Sequence, residues 1–279
     1  MLGKNIRETL MPNPEVLSTY IADGVAVVTL GSASRIYFDP EMSDALFEAL
    51  TALAADDAVR AVVVTGGAPG YFVRHYSVAA LVELGERLKG QPWPEDAPYQ
   101  AGSFDRAMTL AESMDKPVIA AISGSAMGGG FEFTLACDIR IAQDGDYRIG
   151  LPEINIGILP GGGGTQRLPR TIGTPNALLH ILMGETLTPR QAAAQGFVQE
   201  CVEGKALDRA MQIARRIATH TPESVRAIKR LVRGAAATPL AQGLALERNL
   251  FMQLCIGEPA IARMKAYEAQ NLTAPSQSL

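Results

Sequence analysis

Short apolar runs alternate with amphipathic stretches along the first part of the chain. Mainly apolar runs of strand length predict buried strands at residues 24–30, 60–65 and 117–122, and residues 138–142 are predicted to return as a further strand. Helical spacing predicts a helix over residues 41–55, with Asp39 or Pro40 as its start signal. Residues 129–137 are apolar on every side, which is typical of a buried helix. Strands that alternate with helices predict an α/β core with parallel pairing.

The pattern becomes helical after about residue 188. Breakers separate four helix candidates, at residues 206–219, 222–236, 240–255 and 259–270. We therefore predict two domains, an α/β core over residues 1–195 and a helical region over residues 196–279. Within the first, residues 85–102 hold three prolines, three glycines and the only tryptophan, Trp93, and this composition predicts a loop.

Composition narrows the class of protein. The chain has 279 residues, 47% hydrophobic and 19% charged, as expected of a soluble globular protein with one sizeable core. No apolar run approaches the length of a membrane span, and the N-terminal segment lacks the apolar stretch of a signal peptide. We therefore expect a cytoplasmic protein with no membrane partner. The net charge of −4 argues against a nucleic-acid partner.

Cysteine usage points away from both disulfides and metal. The three cysteines, Cys137, Cys201 and Cys255, are far apart and odd in number, so neither a disulfide framework nor a metal knuckle fits. No HExxH or CxxC motif occurs, and we predict no metal. Cys137 lies in the apolar helix and is expected to be a small core residue.

Candidate chemistry is concentrated in residues 116–170. Two glycine runs, at residues 128–130 and 161–164, each lie beside a carboxylate: Glu132 follows the first run and Glu153 precedes the second. A glycine run at the start of an apolar helix leaves backbone N–H groups free to bind an oxyanion. Two glutamates nearby are suited to acid/base work on the molecule that carries that oxyanion.

These motifs resemble those of the crotonase superfamily, also called the enoyl-CoA hydratase/isomerase family. The resemblance is carried, in order and spacing, by KPVIAAISGSAMGGGFEF, CDIRIA and LPEINIGILPGGGGTQRL. Weaker similarity extends from about residue 24 to the C-terminal helices. The resemblance implies a crotonase-like ββα spiral core that carries the active site. It also implies a C-terminal helical region for oligomerisation, as a homotrimer or a dimer of trimers.

The resemblance further implies hydration of an α,β-unsaturated acyl-CoA thioester, with coenzyme A as part of the substrate and no separate cofactor. Glu132 and Glu153 match the two catalytic glutamates of the family. Glu132 would activate water for attack at Cβ, and Glu153 would supply the Cα proton. The backbone N–H of Gly129 would be one donor to the thioester oxygen, where negative charge develops.

Other residues are expected to line the substrate pocket. Gly128 and Gly161 belong to the two glycine runs on either side of the glutamates. Trp93 lies in the predicted loop over residues 85–102, a region that is variable in crotonases and lies near the substrate. The resemblance therefore favours Trp93 as part of the acyl-pocket wall, whereas loop composition alone fits a surface insertion equally well.

Two segments depart from the family pattern. The family usually has an AGxD-like tetrapeptide after a phenylalanine, but Phe72 is followed here by Val73, Arg74, His75, Tyr76 and Ser77. Aligned on Phe72, Tyr76 supplies the second oxyanion donor from its backbone, which tolerates side-chain change. His75 is a candidate additional acid or base, or a histidine hydrogen-bonded within a loop. The second departure replaces the family's Asn-Ala pair with Ile36-Tyr37, which leaves the binding of the CoA adenine open.

Several alternatives stay open at this point. An enoyl-CoA isomerase would need only one well-placed carboxylate. A thioester or C–C bond hydrolase on the same fold would use the same oxyanion hole and recruit His75. A non-catalytic crotonase homologue is a further reading. A serine hydrolase is disfavoured because neither Ser123 nor Ser125 lies in a GxSxG motif. A nucleotide-binding loop is disfavoured because the spacing over residues 124–130 is not GxGxxG and no GK[ST] follows the second glycine run.

Overall fold

The computed structural model describes residues 7–9 and 13–273 of the chain. Its helices are α1 Pro40–Ala55, α2 Val78–Leu88, α3 Ser103–Ser113, α4 Gly129–Ala136, α5 Gly164–Ile172, α6 Thr174–Met183, α7 Pro189–Ala194, α8 Ala206–Ala218, α9 Pro222–Gly234, α10 Leu240–Cys255 and α11 Glu258–Thr273. Its strands are β1 Arg7–Thr9, β2 Leu17–Ala22, β3 Val25–Leu30, β4 Ala61–Gly66, β5 Tyr71–Val73, β6 Val118–Ile122, β7 Ser125–Met127, β8 Ile139–Gln143, β9 Ile149–Gly150, β10 Thr186–Leu187 and β11 Glu200–Val202. A 3-10 helix spans Glu153–Ile156.

The strands form two sheets. The larger has seven strands in the order β1-β2-β3-β4-β6-β8-β11, and the smaller has four in the order β10-β9-β7-β5. Pairing from β3 to β11 is parallel, as the sequence predicts, while β1 and β2 pair antiparallel at one edge. In the smaller sheet, β5, β7 and β9 are parallel and β10 is antiparallel. The α/β fold class is confirmed.

The chain passes repeatedly from the larger sheet to the smaller one. Strands β4, β6 and β8 lie in the larger sheet, and each is followed directly by a strand of the smaller sheet: β5, β7 and β9. Helices follow the first two of these pairs, and the 3-10 helix follows the third. The repeat therefore brings the ends of β5, β7 and β9 together, and with them the first glycine run and the segment that holds Glu153.

The hydrophobic core occupies both faces of the larger sheet. Along β4, Val62 and Val64 belong to one buried cluster, whereas Ala61 and Val63 belong to the other, as the alternation of a strand requires. The second cluster is closed by the apolar face of α8, through Ala206, Ala210, Met211 and Ala214. The predicted strands are β3, β4, β6 and β8. The first three are buried on both faces, which is why their sequences are almost continuously apolar, whereas β8 also carries the buried Arg140.

The start of α1 and the end of α2 can be compared with the sequence predictions. The helix that begins at Pro40 has Asp39 as its N-cap, whose carboxylate accepts a hydrogen bond from the Met42 N–H at 2.8 Å. The loop predicted over residues 85–102 is wrong at its start, because α2 continues to Leu88 and the irregular stretch covers residues 89–102. The glycine at position 85 lies inside α2 and does not end it.

The chain divides into two compact units after residue 218. The second unit holds α9, α10 and α11, close to the three last helices predicted from sequence. The boundary predicted at residue 195 stays a prediction; in the structure α7, β11 and α8 lie in the first unit, where α8 packs on the larger sheet. Among the described residues, no helix is long and apolar enough to cross a lipid bilayer.

Candidate active site

The first site carboxylate lies on the short helix α4, which is buried along its whole length. The chain enters this helix through Gly128, whose φ of 48° is in the region that favours glycine. The Gly128 N–H donates to the Gly150 carbonyl at 3.0 Å, which fixes the turn against β9. Glu132 lies in the first turn of α4 and is only 3% exposed. A carboxylate buried this deeply requires compensating partners.

Glu132 finds its partners in the second glycine run. Its Oε1 accepts a hydrogen bond from the N–H of Gly164 at 2.8 Å, at the start of α5. A methyl group on Gly162 would lie 2.7 Å from Oε2, so only glycine allows this approach. Burial raises the pKa of Glu132 above its ordinary value, and the N–H groups of Gly164 and Gly162 oppose that rise by stabilising the anion.

The second carboxylate has quite different surroundings. Glu153 begins the 3-10 helix, and its buried Oε2 forms no hydrogen bond with any described residue. A methyl group on Gly128 would lie 3.1 Å from its Oε1, so the carboxyl group packs against the first glycine run. Burial, followed by the negative charge of Glu132, raises the pKa of Glu153 to about 7. Glu153 can therefore exist as a neutral acid near physiological pH.

Two backbone N–H groups lie together beside these carboxylates. Gly129 is the first residue of α4, and a methyl group there would lie 3.2 Å from the Tyr76 nitrogen. Within the described residues, neither N–H donates a hydrogen bond. The Phe38 N–H donates to the His75 carbonyl at 3.0 Å, and the Glu132 N–H donates to the Gly128 carbonyl at 2.8 Å. These carbonyls share peptide groups with the two N–H groups, which polarises both donors.

The two segments that depart from the family pattern contact each other. The Arg74 N–H donates to the Ile36 carbonyl at 2.7 Å, so the two segments run side by side. The Arg74 guanidinium donates to the Tyr37 hydroxyl at 3.1 Å, and the Tyr37 ring packs on His75 with a centroid separation of 4.6 Å. Nδ1 of His75 lies 2.6 Å from the Tyr76 carbonyl oxygen, so that nitrogen carries the proton of this hydrogen bond.

Sequence reasoning missed a residue that holds the second glycine run. Arg167 on α5 donates to both carboxylate oxygens of Glu112, at 2.9 and 2.8 Å, and to the Gly162 carbonyl at 2.9 Å. Its positive charge also lowers the pKa of Glu132, after burial and the two glycine N–H groups. The available signal was an arginine three residues beyond the glycine run, but its partner lies 55 positions away.

One cavity of about 850 Å³ joins these groups. The predicted site residues that line it are Glu132, Glu153, Gly129, Tyr76, His75, Gly128 and Gly161. The structure does not bring Trp93 to them: its side chain is 75% exposed and does not line the cavity. Further walls come from the first turns of α1, from α2, from the start of α3 and from the segment that includes Ile156, Ile158 and Leu159. Over the described part of the chain, no cluster of three or more histidine, cysteine or acidic side chains could hold a metal.

Two N–H groups that donate no hydrogen bond within the described residues lie beside two carboxylates, and this geometry is suited to binding a negatively charged oxygen. The chain belongs to the enoyl-CoA hydratase/isomerase family, whose model matches residues 20–267. It is 32% identical over 253 residues to a probable enoyl-CoA hydratase of Bacillus subtilis, covering 90% of this chain and 95% of the relative. It is 35% identical over 215 residues to the 2,3-dehydroadipyl-CoA hydratase of Escherichia coli, covering 76% and 79%.

Solved structures agree with this membership. An enoyl-CoA hydratase from Geobacillus kaustophilus matches with a TM-score of 0.85 and 27% sequence identity, covering 95% of this chain and 97% of the other. The expected crotonase-like architecture is thus confirmed, including the two sheets and the C-terminal helices.

Proposed function

We propose that this protein is a hydro-lyase that adds water across the double bond of an α,β-unsaturated acyl-CoA thioester. The observation that carries the proposal is the pair of carboxylates facing one cavity in unlike surroundings: Glu132 with backbone N–H partners, and Glu153 with a pKa raised to about 7. Hydration needs one ionised and one neutral carboxyl group at the same time, and these surroundings favour that combination.

The reaction follows from these positions. The thioester oxygen accepts hydrogen bonds from the N–H groups of Gly129 and Tyr76. Glu132 takes a proton from water as the water oxygen bonds to Cβ, and the electrons of the double bond move toward the thioester oxygen. Glu153 then gives its proton to Cα, which leaves a 3-hydroxyacyl thioester. Proton exchange with solvent or between the two glutamates restores the starting state.

The main experiment compares turnover of enoyl-CoA, 3-enoyl-CoA, saturated acyl-CoA and β-diketone thioesters. We expect hydration of the enoyl-CoA to be the fastest reaction. If the protein instead cleaves a saturated thioester or a β-diketone, it is a hydrolase. The presence of His75 in the cavity wall is the observation that favours this second candidate, and His75→Ala would then abolish the cleavage.

Two substitutions of Gly129 test its N–H as an oxyanion donor. Gly129 occupies the first position of α4, where proline is tolerated, so Gly129→Pro removes the N–H with little cost to the helix. Gly129→Ala keeps the N–H and adds the same β-carbon, which would lie 3.0 Å from Tyr76 Cβ. We expect the proline variant to turn over about 10²–10³-fold more slowly than the alanine variant. Equal rates in two folded variants would contradict the role of Gly129.

We also propose an oligomeric state and a cellular location for the protein. The helices of the second unit expose large apolar side chains, including Ile228, Val232, Leu244 and Phe251, which supports packing into a homotrimer or a dimer of trimers. A stable, active monomer in light scattering would contradict this. We also propose that the protein acts in the cytoplasm, as its bacterial relatives suggest; one plant relative is named as mitochondrial.

A further inference from the structure

Tyr76 brings two separate features to the cavity. Its backbone N–H is the proposed second oxyanion donor, and its aromatic side chain lines the same cavity. A methyl group on Gly129 would lie 3.2 Å from the Tyr76 nitrogen and 3.0 Å from its Cβ. The side chain therefore starts directly beside the place where the thioester oxygen would bind.

The ring of Phe104 completes a wall on this side of the cavity. The Tyr76 and Phe104 rings meet edge to face, with centroids 5.5 Å apart. Phe104 Cζ would lie 3.5 Å from a methyl group on Gly129, and its Cε1 2.8 Å from a methyl group on Gly162. The same position on Gly162 is 2.7 Å from Glu132 Oε2, so the Phe104 ring lies close to the carboxylate as well.

This wall is held in place from behind. Phe104 packs on Phe38 at a centroid distance of 5.0 Å, and Phe38 is fully buried. The Tyr76 ring is partly buried, and its hydroxyl lies beside Ser43 on α1. Neither ring can turn aside without losing these contacts, because aromatic side chains packed on a core have few free rotamers.

We propose that the side chain of Tyr76, backed by Phe104, is a specificity-determining element that restricts the enzyme to short acyl groups. The inference rests on the proposed function, since it places the acyl Cα and Cβ between Glu132 and the two N–H groups. Carbons beyond Cβ that extend toward this side of the cavity then meet the Tyr76–Phe104 wall. A long alkyl chain would have to displace a packed aromatic ring, whereas a short one would lie against it.

The test separates the side chain of Tyr76 from its backbone. Tyr76→Ala keeps the N–H and removes the ring, Tyr76→Phe keeps the ring as a matched control, and Phe104→Ala removes the supporting half of the wall. The measured quantity is the kcat/KM for trans-2-decenoyl-CoA divided by that for crotonyl-CoA. We expect the ratio to rise at least about tenfold in both alanine variants, since single methylenes in such pockets alter discrimination by 10–200-fold. In Tyr76→Phe we expect the ratio of the parent.

The outcomes distinguish this inference from the proposed function. If the parent hydrates crotonyl-CoA and the ratio does not change in folded alanine variants, the wall does not select chain length. If the parent hydrates neither substrate, the proposed function fails. The affinities of decanoyl-CoA and butyryl-CoA, measured by calorimetry, then carry the test: they should shift toward decanoyl-CoA in the alanine variants, and an unchanged affinity ratio would overturn the proposal. Thermal melts establish which variants are folded. If Tyr76→Ala does not fold, the comparison is made with Phe104→Ala alone.

Discussion

Glu132 and Glu153 face the same cavity, yet the protein treats the two carboxyl groups in opposite ways. Glu132 is almost completely buried, but it accepts a hydrogen bond from the Gly164 N–H at a helix start, which favours its ionised form. Glu153 has a buried oxygen without a described partner and sits within the field of Glu132, which favours its neutral form. Burial raises the pKa of both carboxyl groups, but the N–H groups of Gly164 and Gly162 oppose that rise at Glu132, whereas the charge of Glu132 adds to it at Glu153.

The largest expected effect comes from removing either acid/base group. Glutamine is nearly isosteric with glutamate, and in Glu132→Gln the side-chain oxygen can still accept from Gly164. Because glutamine cannot take or deliver the proton, we expect Glu132→Gln and Glu153→Gln each to slow hydration of crotonyl-CoA by about 10²–10⁴-fold. Steady-state kinetics and calorimetric binding of butyryl-CoA should show a loss of kcat with binding largely retained.

The double variant and the isomerase reading give this experiment its controls. If the two groups act as a unit, the double variant should be little slower than either single variant. An isomerase would give one inactive variant and one nearly normal variant on a 3-enoyl-CoA. Parental hydration rates in both single variants would show that the chemistry is assigned to the wrong residues.

A smaller effect is expected from a substitution that crowds Glu132 together with the neighbouring Phe104 ring. A methyl group on Gly162 would lie 2.7 Å from Glu132 Oε2 and 2.8 Å from Phe104 Cε1, so something must move. Since small misplacements of a catalytic group are costly, we expect Gly162→Ala to lower kcat by about 10–10²-fold. At Gly161 an added methyl group meets nothing within 4 Å, so Gly161→Ala should lose less. Equal losses would mean that the position of Glu132 is not what Gly162 protects.

How far the sequence predicts this site depends on whether the information is local. The glycine runs and both glutamates lie within one continuous segment, so the motifs identify them. The hydrogen-bond donor to Glu132, the Gly164 N–H, is 32 positions away in the sequence. The ion pair between Arg167 and Glu112 joins residues that are 55 positions apart. Such pairs form only through the tertiary fold, and no single-sequence pattern carries them.

The strands of the fold also differ in how far the local sequence predicts them. Strands β3, β4 and β6 are five or six residues long and almost entirely apolar, so their runs predict them, and β8 is equally long although it contains Arg140 and Gln143. The strands of the smaller sheet are only two or three residues long, too short to show any periodicity. The smaller sheet carries the segments that flank the cavity. The position of the cavity is therefore known only from the structure. Trp93 was expected in the pocket from the family resemblance, but nothing in the sequence fixes where an irregular loop lies.

The next effect is a pH dependence that only the acid should produce. Glu153 must be protonated to deliver the Cα proton, and its pKa is raised to about 7. We therefore expect kcat/KM to fall about tenfold per pH unit as the pH rises above that value, because the protonated fraction falls in proportion. The decline should be absent from the residual activity of Glu153→Gln. A flat profile between pH 6 and 9 in the parent would mean that Glu153 is not the acid.

The smallest expected effect is on stability, and its sign follows from the same raised pKa. The pKa of Glu153 is about 7 in the folded protein and about 4.3 in an unfolded chain, so the folded state binds more protons between these values. The free energy of unfolding should therefore decrease as the pH rises through this window and level off above about pH 7. Glu153→Gln removes the decrease. At pH 8 the variant should be more stable than the parent, by on the order of 1–2 kcal/mol once solvent screening is allowed for.

Thermal melts at pH 5 and pH 8 measure this difference, and a gain of about 2–4 °C at pH 8 is the expected size. At pH 5 the difference between the parent and Glu153→Gln should be much smaller than at pH 8, because pH 5 is close to the pKa of the unfolded chain and only a small part of the decrease in stability has accumulated there. Glu95→Gln, a change at an exposed position, is the matched control and should not alter the pH dependence. In Glu132→Gln the pH range over which stability decreases should end at a lower pH. The reason is that the negative charge that helps to raise the pKa of Glu153 is gone. If the range is unchanged in that variant, the charge of Glu132 does not raise the pKa of Glu153, and burial of Glu153 accounts for the rise.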